Sequence, residues 1–144
     1  MRVTLERVEA IARGLCDCTF PASEFHHREH ILAGAYLMKS EPQRDWSQEF
    51  PELIKRFNLA NGGANTDEAG YHDTITQFFL DALKLFLAQA PHDHEEAFNA
   101  LLESPLADKG FPLRFYRADF LFSKEARRKY LAPDLKPLTL KDVL

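Results

Sequence analysis

The stretch YHDTITQFFLDALKLFLAQ, residues 71–89, carries the longest helical repeat of apolar residues in the chain. Five apolar residues share one helical face: Ile75, Phe79, Ala82, Leu83 and Phe86. Pro91 follows and cannot continue the helix, because proline lacks the backbone N–H group that the helix needs. The stretch therefore predicts a helix from Tyr71 to about Gln89 with one buried face.

The same helical spacing of apolar residues recurs in separate segments before and after this helix. It predicts further helices over about residues 4–17, 23–39 (opened by Ser23 or His26), 46–60 and 93–103. Asn61-Gly62-Gly63 is a strong helix stop, and Ser123 is placed to cap a last short helix to about Leu131. No segment alternates as a strand does, and residues 133–144 are expected to be extended. We predict an all-α, single-domain bundle over residues 1–144, with about five to six helices and an irregular C-terminal segment.

Composition restricts the function classes. The 144 residues are 45% hydrophobic and include 12 phenylalanines, which is enough for a large aromatic core. The formal charge of -4 argues against a nucleic-acid partner, which favours a basic protein. No apolar run is long enough to span a membrane, and the first residues lack a secretory pattern. We expect a cytoplasmic protein with a small-molecule ligand, no membrane partner and two reduced cysteines, Cys16 and Cys18; the oligomeric state is not predicted.

Three histidines share the direction of the apolar faces. His27 and His30 lie one turn apart on the face that also carries Ile31, and His72 lies on the face of Ile75 and Phe79. The remaining histidines are expected at the rim of the bundle or exposed: His26, His92 and His94. Inward histidines on two helices of a bundle can meet in its interior, where bundles build metal sites.

A divalent-metal site formed by His27, His30 and His72 is the leading hypothesis. Three imidazoles and a water molecule would suit zinc, whereas two imidazoles and a carboxylate would suit non-haem iron. Candidate carboxylates are Asp73, Glu29 and Glu24. Such a site would make the protein a small-molecule metalloenzyme that activates water or oxygen. Two alternatives stay open: a metal-free pocket that binds a small polar ligand, and an interaction protein whose histidines only shape the core.

Polar residues around His72 are candidates to bind the ligand or to support the histidines. They are Tyr71, Asp73, Thr74 and Thr76, with Tyr36 and Tyr116 as more distant phenolic donors. Asp73 at a helix N-terminus is also explained by the helix dipole alone. Asn65 and Thr66 are expected either to cap the helix or to line the same cavity.

Several motifs together resemble a family of short bacterial proteins to which no activity is assigned. They are FHHREH (25–30), RFNLANG (56–62), YHDTIT (71–76), LFSKEAR (121–127) and PDLKPL (133–138). The resemblance covers roughly residues 20–138. It ranks His27, His30, Tyr71, His72, Thr74 and Thr76 first as site residues. This chain has Asp73 where the family pattern has Glu, which shortens the carboxylate, and Phe25 where the pattern has Trp.

Overall fold

The computed structural model describes residues 2–144, so Met1 of the predicted domain lies outside the described residues. Seven α-helices are present: α1 (Leu5–Cys16), α2 (His27–Ser40), α3 (Trp46–Ala60), α4 (Asp73–Gln89), α5 (His94–Leu102), α6 (Ala118–Leu121) and α7 (Lys124–Arg128). Short 3-10 helices lie at Ala22–Glu24, Pro105–Ala107, Phe111–Arg114 and Leu140–Val143. Residues 2–144 contain no strand, so the predicted all-α bundle is confirmed.

Side-chain caps explain where most helices begin. Thr4, Asp93 and Ser123 accept hydrogen bonds from backbone N–H groups in the first turns of α1, α5 and α7. The predicted cap at Ser123 is therefore confirmed. The predicted start of α4 at Tyr71 is wrong by two residues, because His72 is itself the N-cap: its side chain accepts the N–H of Ile75.

The long helix α4 lies at the centre of the bundle and packs against α2, α3 and α7. Phe78 is buried, and its ring centroid lies 5.0 Å from that of Phe115 and 5.3 Å from that of Tyr116. Gly34 lets α2 approach α4 closely, since a Cβ atom on Gly34 would lie 3.1 Å from Leu83 Cδ1. Burying large rings on several sides of one helix is the main stabilising term of this core.

Pro51 lies inside α3 without splitting it. A proline at this position cannot donate to the carbonyl of Ser47, four residues earlier. The side chain of Gln77 fills the gap, since its Nε2 donates to Ser47 O at 2.8 Å. This hydrogen bond fastens α3 to α4.

The C-terminal segment is not extended throughout, so that part of the prediction is wrong. It returns to the bundle: Leu135 N donates to Phe115 O at 2.9 Å, and the last turn is a 3-10 helix, Leu140–Val143. Val143 is fully buried against the core. Burial of this apolar side chain helps to hold the segment against the bundle.

Within residues 2–144, every helix is too short or too polar to cross a lipid bilayer.

Candidate functional site

A large cavity lies between three helices and two segments of the C-terminal third of the chain. Its walls come from the start of α2, the middle of α3 and the start of α4, and from residues around 109–113 and 121–122. Its volume is about 990 Å³. Most of its wall is apolar and aromatic, including Phe25, Phe50, Ile54, Tyr71, Ile75 and Phe79. A volume of this size is typical of cavities that bind small molecules.

His27, His30 and His72 all line this cavity. Helical phase gave these side chains only a common direction; the fold brings them to one cavity. The ring of His30 lies 4.4 Å from that of Phe25, and the ring of His27 lies 4.7 Å from that of Phe79, measured between centroids. The imidazoles therefore form polar positions in an otherwise aromatic wall.

His72 uses both of its ring nitrogens to hold the fold. Nε2 lies 2.9 Å from the carbonyl oxygen of Leu121, and Nδ1 lies 3.2 Å from the backbone nitrogen of Ile75. Since a carbonyl only accepts and a backbone N–H only donates, the proton is on Nε2 and the lone pair is on Nδ1. Burial lowers the pKa of His72, and Arg127 lowers it further. His72 is thus a neutral bridge between the N-terminus of α4 and the C-terminus of α6.

His27 has one nitrogen engaged. Its Nε2–H donates to the carbonyl of Leu106 at 2.8 Å, which ties the start of α2 to the 3-10 helix Pro105–Ala107. Burial lowers the pKa of His27, so the ring is neutral near pH 7 and Nδ1 carries a lone pair. In the part of the chain that the structure describes, this Nδ1 has no hydrogen-bond partner.

His30 is arranged in the opposite sense. Its Nδ1–H donates to the carbonyl of His26 at 2.9 Å, one turn earlier in the chain, which leaves the lone pair on Nε2. Burial lowers the pKa of this histidine too. Nε2 has no partner among residues 2–144, and neither does Nδ1 of His27. Among residues 2–144, every fully buried side-chain nitrogen or oxygen has a hydrogen-bond partner. Since these two nitrogens have none, neither is fully buried.

Tyr71 and Thr76 line the cavity, whereas the other supporting residues predicted from the sequence do not. Tyr71 donates its hydroxyl proton to Asp73 Oδ1 at 2.5 Å, and burial with this hydrogen bond raises the pKa of the phenol well above its usual range. Thr74 is buried away from the cavity, where its hydroxyl donates to Lys129 O and accepts from Leu131 N. It fastens α4 to the segment after α7.

The predicted phenolic donors Tyr36 and Tyr116 also lie outside the cavity wall. The ring of Tyr36 packs against Phe98 on α5, 6.3 Å between centroids, and the hydroxyl of Tyr116 donates to Leu131 O at 2.6 Å. Asn65 does not cap α4 or line the cavity. It holds the loop before α4, since its Oδ1 accepts from Tyr71 N and its Nδ2 donates to Lys55 O.

None of the predicted carboxylates lines the cavity. Asp73 accepts from Tyr71, Glu29 accepts the N–H of His26 at 2.9 Å, and Glu24 is exposed with Arg7 as its ion-pair partner. Within residues 2–144, no three His, Cys, Asp or Glu side chains are grouped closely enough to hold a metal ion. A site that uses all three histidines would require His72 to release the carbonyl of Leu121 or the N–H of Ile75.

Two cationic residues of the wall were missed by the sequence reasoning. Arg28 and Lys109 both line the cavity, together with the apolar rim residues Leu113 and Phe122. Arg28 lies about 100° from His27 around α2, so helical phase places it at the edge of the inward face and not on it. Lys109 comes from an irregular segment, where no periodicity indicates which way a side chain points.

Comparison of the chain with protein-family models, with curated proteins and with solved structures gave no match.

Proposed function

We propose that this protein binds a small, mainly apolar molecule in the cavity, and that His27 Nδ1 and His30 Nε2 accept hydrogen bonds from it. The observation that carries the proposal is the pair of partnerless imidazole nitrogens in an aromatic wall. A cavity with an apolar lining and a few polar groups is the usual form of a small-molecule site. The cytoplasmic location and bacterial origin expected from the sequence remain predictions.

The chemistry of the two nitrogens favours a ligand with a hydroxyl or N–H donor. Both imidazoles are held neutral, since burial lowers their pKa values, so each presents a lone pair rather than a charge. A donor placed at about 2.8–3.2 Å from such a nitrogen forms an ordinary hydrogen bond with it. The same lone pairs can act as general bases if the bound molecule is a substrate.

Thermal-shift measurements against a panel of aromatic alcohols and amines test this proposal. Compounds that raise the melting temperature of the wild type should lose their effect in Ile75→Trp, because Ile75 lines the cavity and an indole ring there would occupy space that the ligand needs. Leu87→Trp is the matched control, as Leu87 is also half-buried on α4 but does not line the cavity. Shifts that persist equally in both variants would contradict the proposal.

A metal-binding site is the second candidate, favoured by the presence of three histidines in one cavity wall. His30 Nε2 and His27 Nδ1 are available as ligands, whereas His72 would first have to release the carbonyl of Leu121. Since no carboxylate lines the cavity, a three-histidine zinc site suits the lining better than an iron site. A bound zinc ion would supply an acidified water molecule for hydrolysis.

Metal analysis of protein purified without a histidine tag distinguishes the two candidates. Stoichiometric zinc or iron that disappears in His30→Ala would support the metal site. Substoichiometric metal that is the same in wild type and His30→Ala would exclude it and would leave the metal-free pocket as the proposal.

A further inference from the structure

We infer that the ligand of this cavity is an organic anion, with an aromatic or alkyl body in the apolar interior and a single acidic group at the mouth between Arg28 and Lys109. This inference rests on the proposed function, since it assigns a chemical class to the ligand of the same cavity. It is carried by the charges of the wall and by the way in which neighbouring carboxylates are already bound.

The cavity wall has the opposite charge to the chain as a whole. Asp and Glu outnumber Lys and Arg by 22 to 18 in the sequence, yet the wall contains Arg28 and Lys109 and no carboxylate. A wall of one sign raises the local concentration of ligands of the other sign. The net charge of the protein would disfavour an anion, so the local pair of cations is the feature that selects one.

Neither cation has a partner in the described part of the chain: Arg28 and Lys109 take part in no ion pair and no side-chain hydrogen bond there. The nearest carboxylates are engaged elsewhere. Glu29 accepts the N–H of His26, and Asp108 accepts from Gly110 N at 2.9 Å and pairs with Arg114 at 3.2 Å. The wall therefore has no internal counter-ion.

Arg28 is half-buried in the cavity wall. A planar guanidinium in such a place forms strong, paired hydrogen bonds with a carboxylate, and these gain strength where water is partly excluded. Lys109 is exposed and marks the mouth. The acidic group of the ligand is thus placed at the entrance, and the rest of the molecule extends inward.

The apolar part of the wall restricts the anion further. Phe50, Ile54 and Phe79 offer no donors to a second charged group, and Phe122, 60% exposed at the rim, is free to cover a bound ring. A polyphosphate would find only two permanent cations and would lose hydration against the aromatic wall. A monocarboxylate whose ring or short alkyl chain carries a hydroxyl group uses both parts of the cavity and can donate to His27 Nδ1 or His30 Nε2.

Isothermal titration calorimetry with 2-naphthylacetate and its methyl ester tests the charge requirement, because neither compound has a hydrogen-bond donor and only the first carries a charge. We expect the carboxylate to bind about tenfold more tightly than the ester, the equivalent of about 1.4 kcal/mol for one charge-assisted contact. The preference should fall towards one in Arg28→Gln/Lys109→Gln. It should persist in the control Lys84→Gln, since Lys84 is exposed on α4 and does not line the cavity.

The possible outcomes separate this inference from the proposed function. Equal binding of both compounds that is abolished by Ile75→Trp would overturn the anion inference and leave the binding cavity standing. A carboxylate preference that survives in Arg28→Gln/Lys109→Gln, or the absence of binding by both compounds, would also overturn the inference. Binding that ignores Ile75→Trp would instead contradict the cavity itself.

Discussion

The starts of α2 and α4 both place histidines in the cavity wall, but they differ in what their polar groups do. At the start of α4, nearly every polar group is bound to another part of the protein. His72 bridges to Leu121, Thr74 bridges to Lys129 and Leu131, and Arg127 of α7 donates to the carbonyl of Gly70. This region fastens α4 to the C-terminal third of the chain.

At the start of α2, polar groups remain free. His27 and His30 each keep one partnerless nitrogen, and Arg28 has no partner in the structure described from residue 2 onward. The comparison teaches that the number of polar residues in a motif does not identify a binding site, since FHHREH and YHDTIT each contain five in six. The motif whose polar groups are mostly satisfied holds the fold, and the motif with unsatisfied groups is the better candidate to contact a ligand.

Removal of His72 should produce the largest loss of stability. His72→Ala deletes an N-cap, about 1 kcal/mol, and leaves the carbonyl of Leu121 without its partner, about 1–3 kcal/mol, so we expect about 2–4 kcal/mol from urea unfolding. His72→Asn restores a capping side chain and should recover about 1 kcal/mol. If His72→Ala lost less than about 1 kcal/mol, α4 would not be fastened in the way that the comparison requires.

Thr74 gives the next largest effect. Thr74→Val keeps the shape of the side chain but removes the hydroxyl that donates to Lys129 O at 2.9 Å and accepts from Leu131 N at 3.0 Å. We expect a loss of about 1–3 kcal/mol in the free energy of unfolding, because these groups are screened from water. Thr74→Ser is the control and should retain most of the stability. Equal stability of the Val and Ser variants would show that the hydroxyl does not fasten α4.

The sequence predicted the fold well where apolar periodicity operates. The bounds of α3, residues 46–60, agree with the structure, and α4 differs only at its start. That difference has a physical cause: His72 is the N-cap of the helix, a role usually taken by Ser, Thr, Asp or Asn. Periodicity cannot indicate a capping histidine.

The site was predicted only in part, for a related reason. Helical phase gave the inward direction of His27, His30 and His72. It could not give their partners, because Leu106 and Leu121 lie in short helices 79 and 49 residues away along the chain. Whether a histidine is free or engaged depends on such distant backbone groups, and so the distinction between α2 and α4 was beyond the sequence pattern.

The free energy of unfolding should depend on pH through the buried histidines at the starts of α2 and α4. The pKa values of His27, His30 and His72 are all lowered by burial from the ordinary value of 6.5. Below pH 6.5 the unfolded chain therefore binds more protons than the folded protein, so stability is complete above 6.5 and is lost as the pH falls towards the lowered values. Urea unfolding at pH 7.5, 6.5 and 5.5 measures this loss.

Two variants test whether the histidines at the starts of α2 and α4 cause this loss of stability at low pH. His72→Asn and His30→Leu should each reduce the loss of stability between pH 6.5 and 5.5, since each removes one histidine with a lowered pKa. A wild-type protein equally stable at pH 7.5 and 5.5 would contradict the neutral, buried state of these rings.

His30 should give the smallest change in stability and the most specific change in binding. His30→Leu removes only the hydrogen bond to His26 O on the same helix, and leucine can pack against Phe25, so we expect a change within about 1 kcal/mol. Binding should respond differently: 2-naphthol can donate to Nε2, whereas 2-methoxynaphthalene cannot. Wild-type protein should bind the naphthol more tightly, and His30→Leu should reduce that preference. A preference unchanged in His30→Leu but lost in His27→Leu would move the acceptor to His27 Nδ1, still at the start of α2. A preference lost only in His72→Asn would reverse the comparison and make α4 the helix that contacts the ligand.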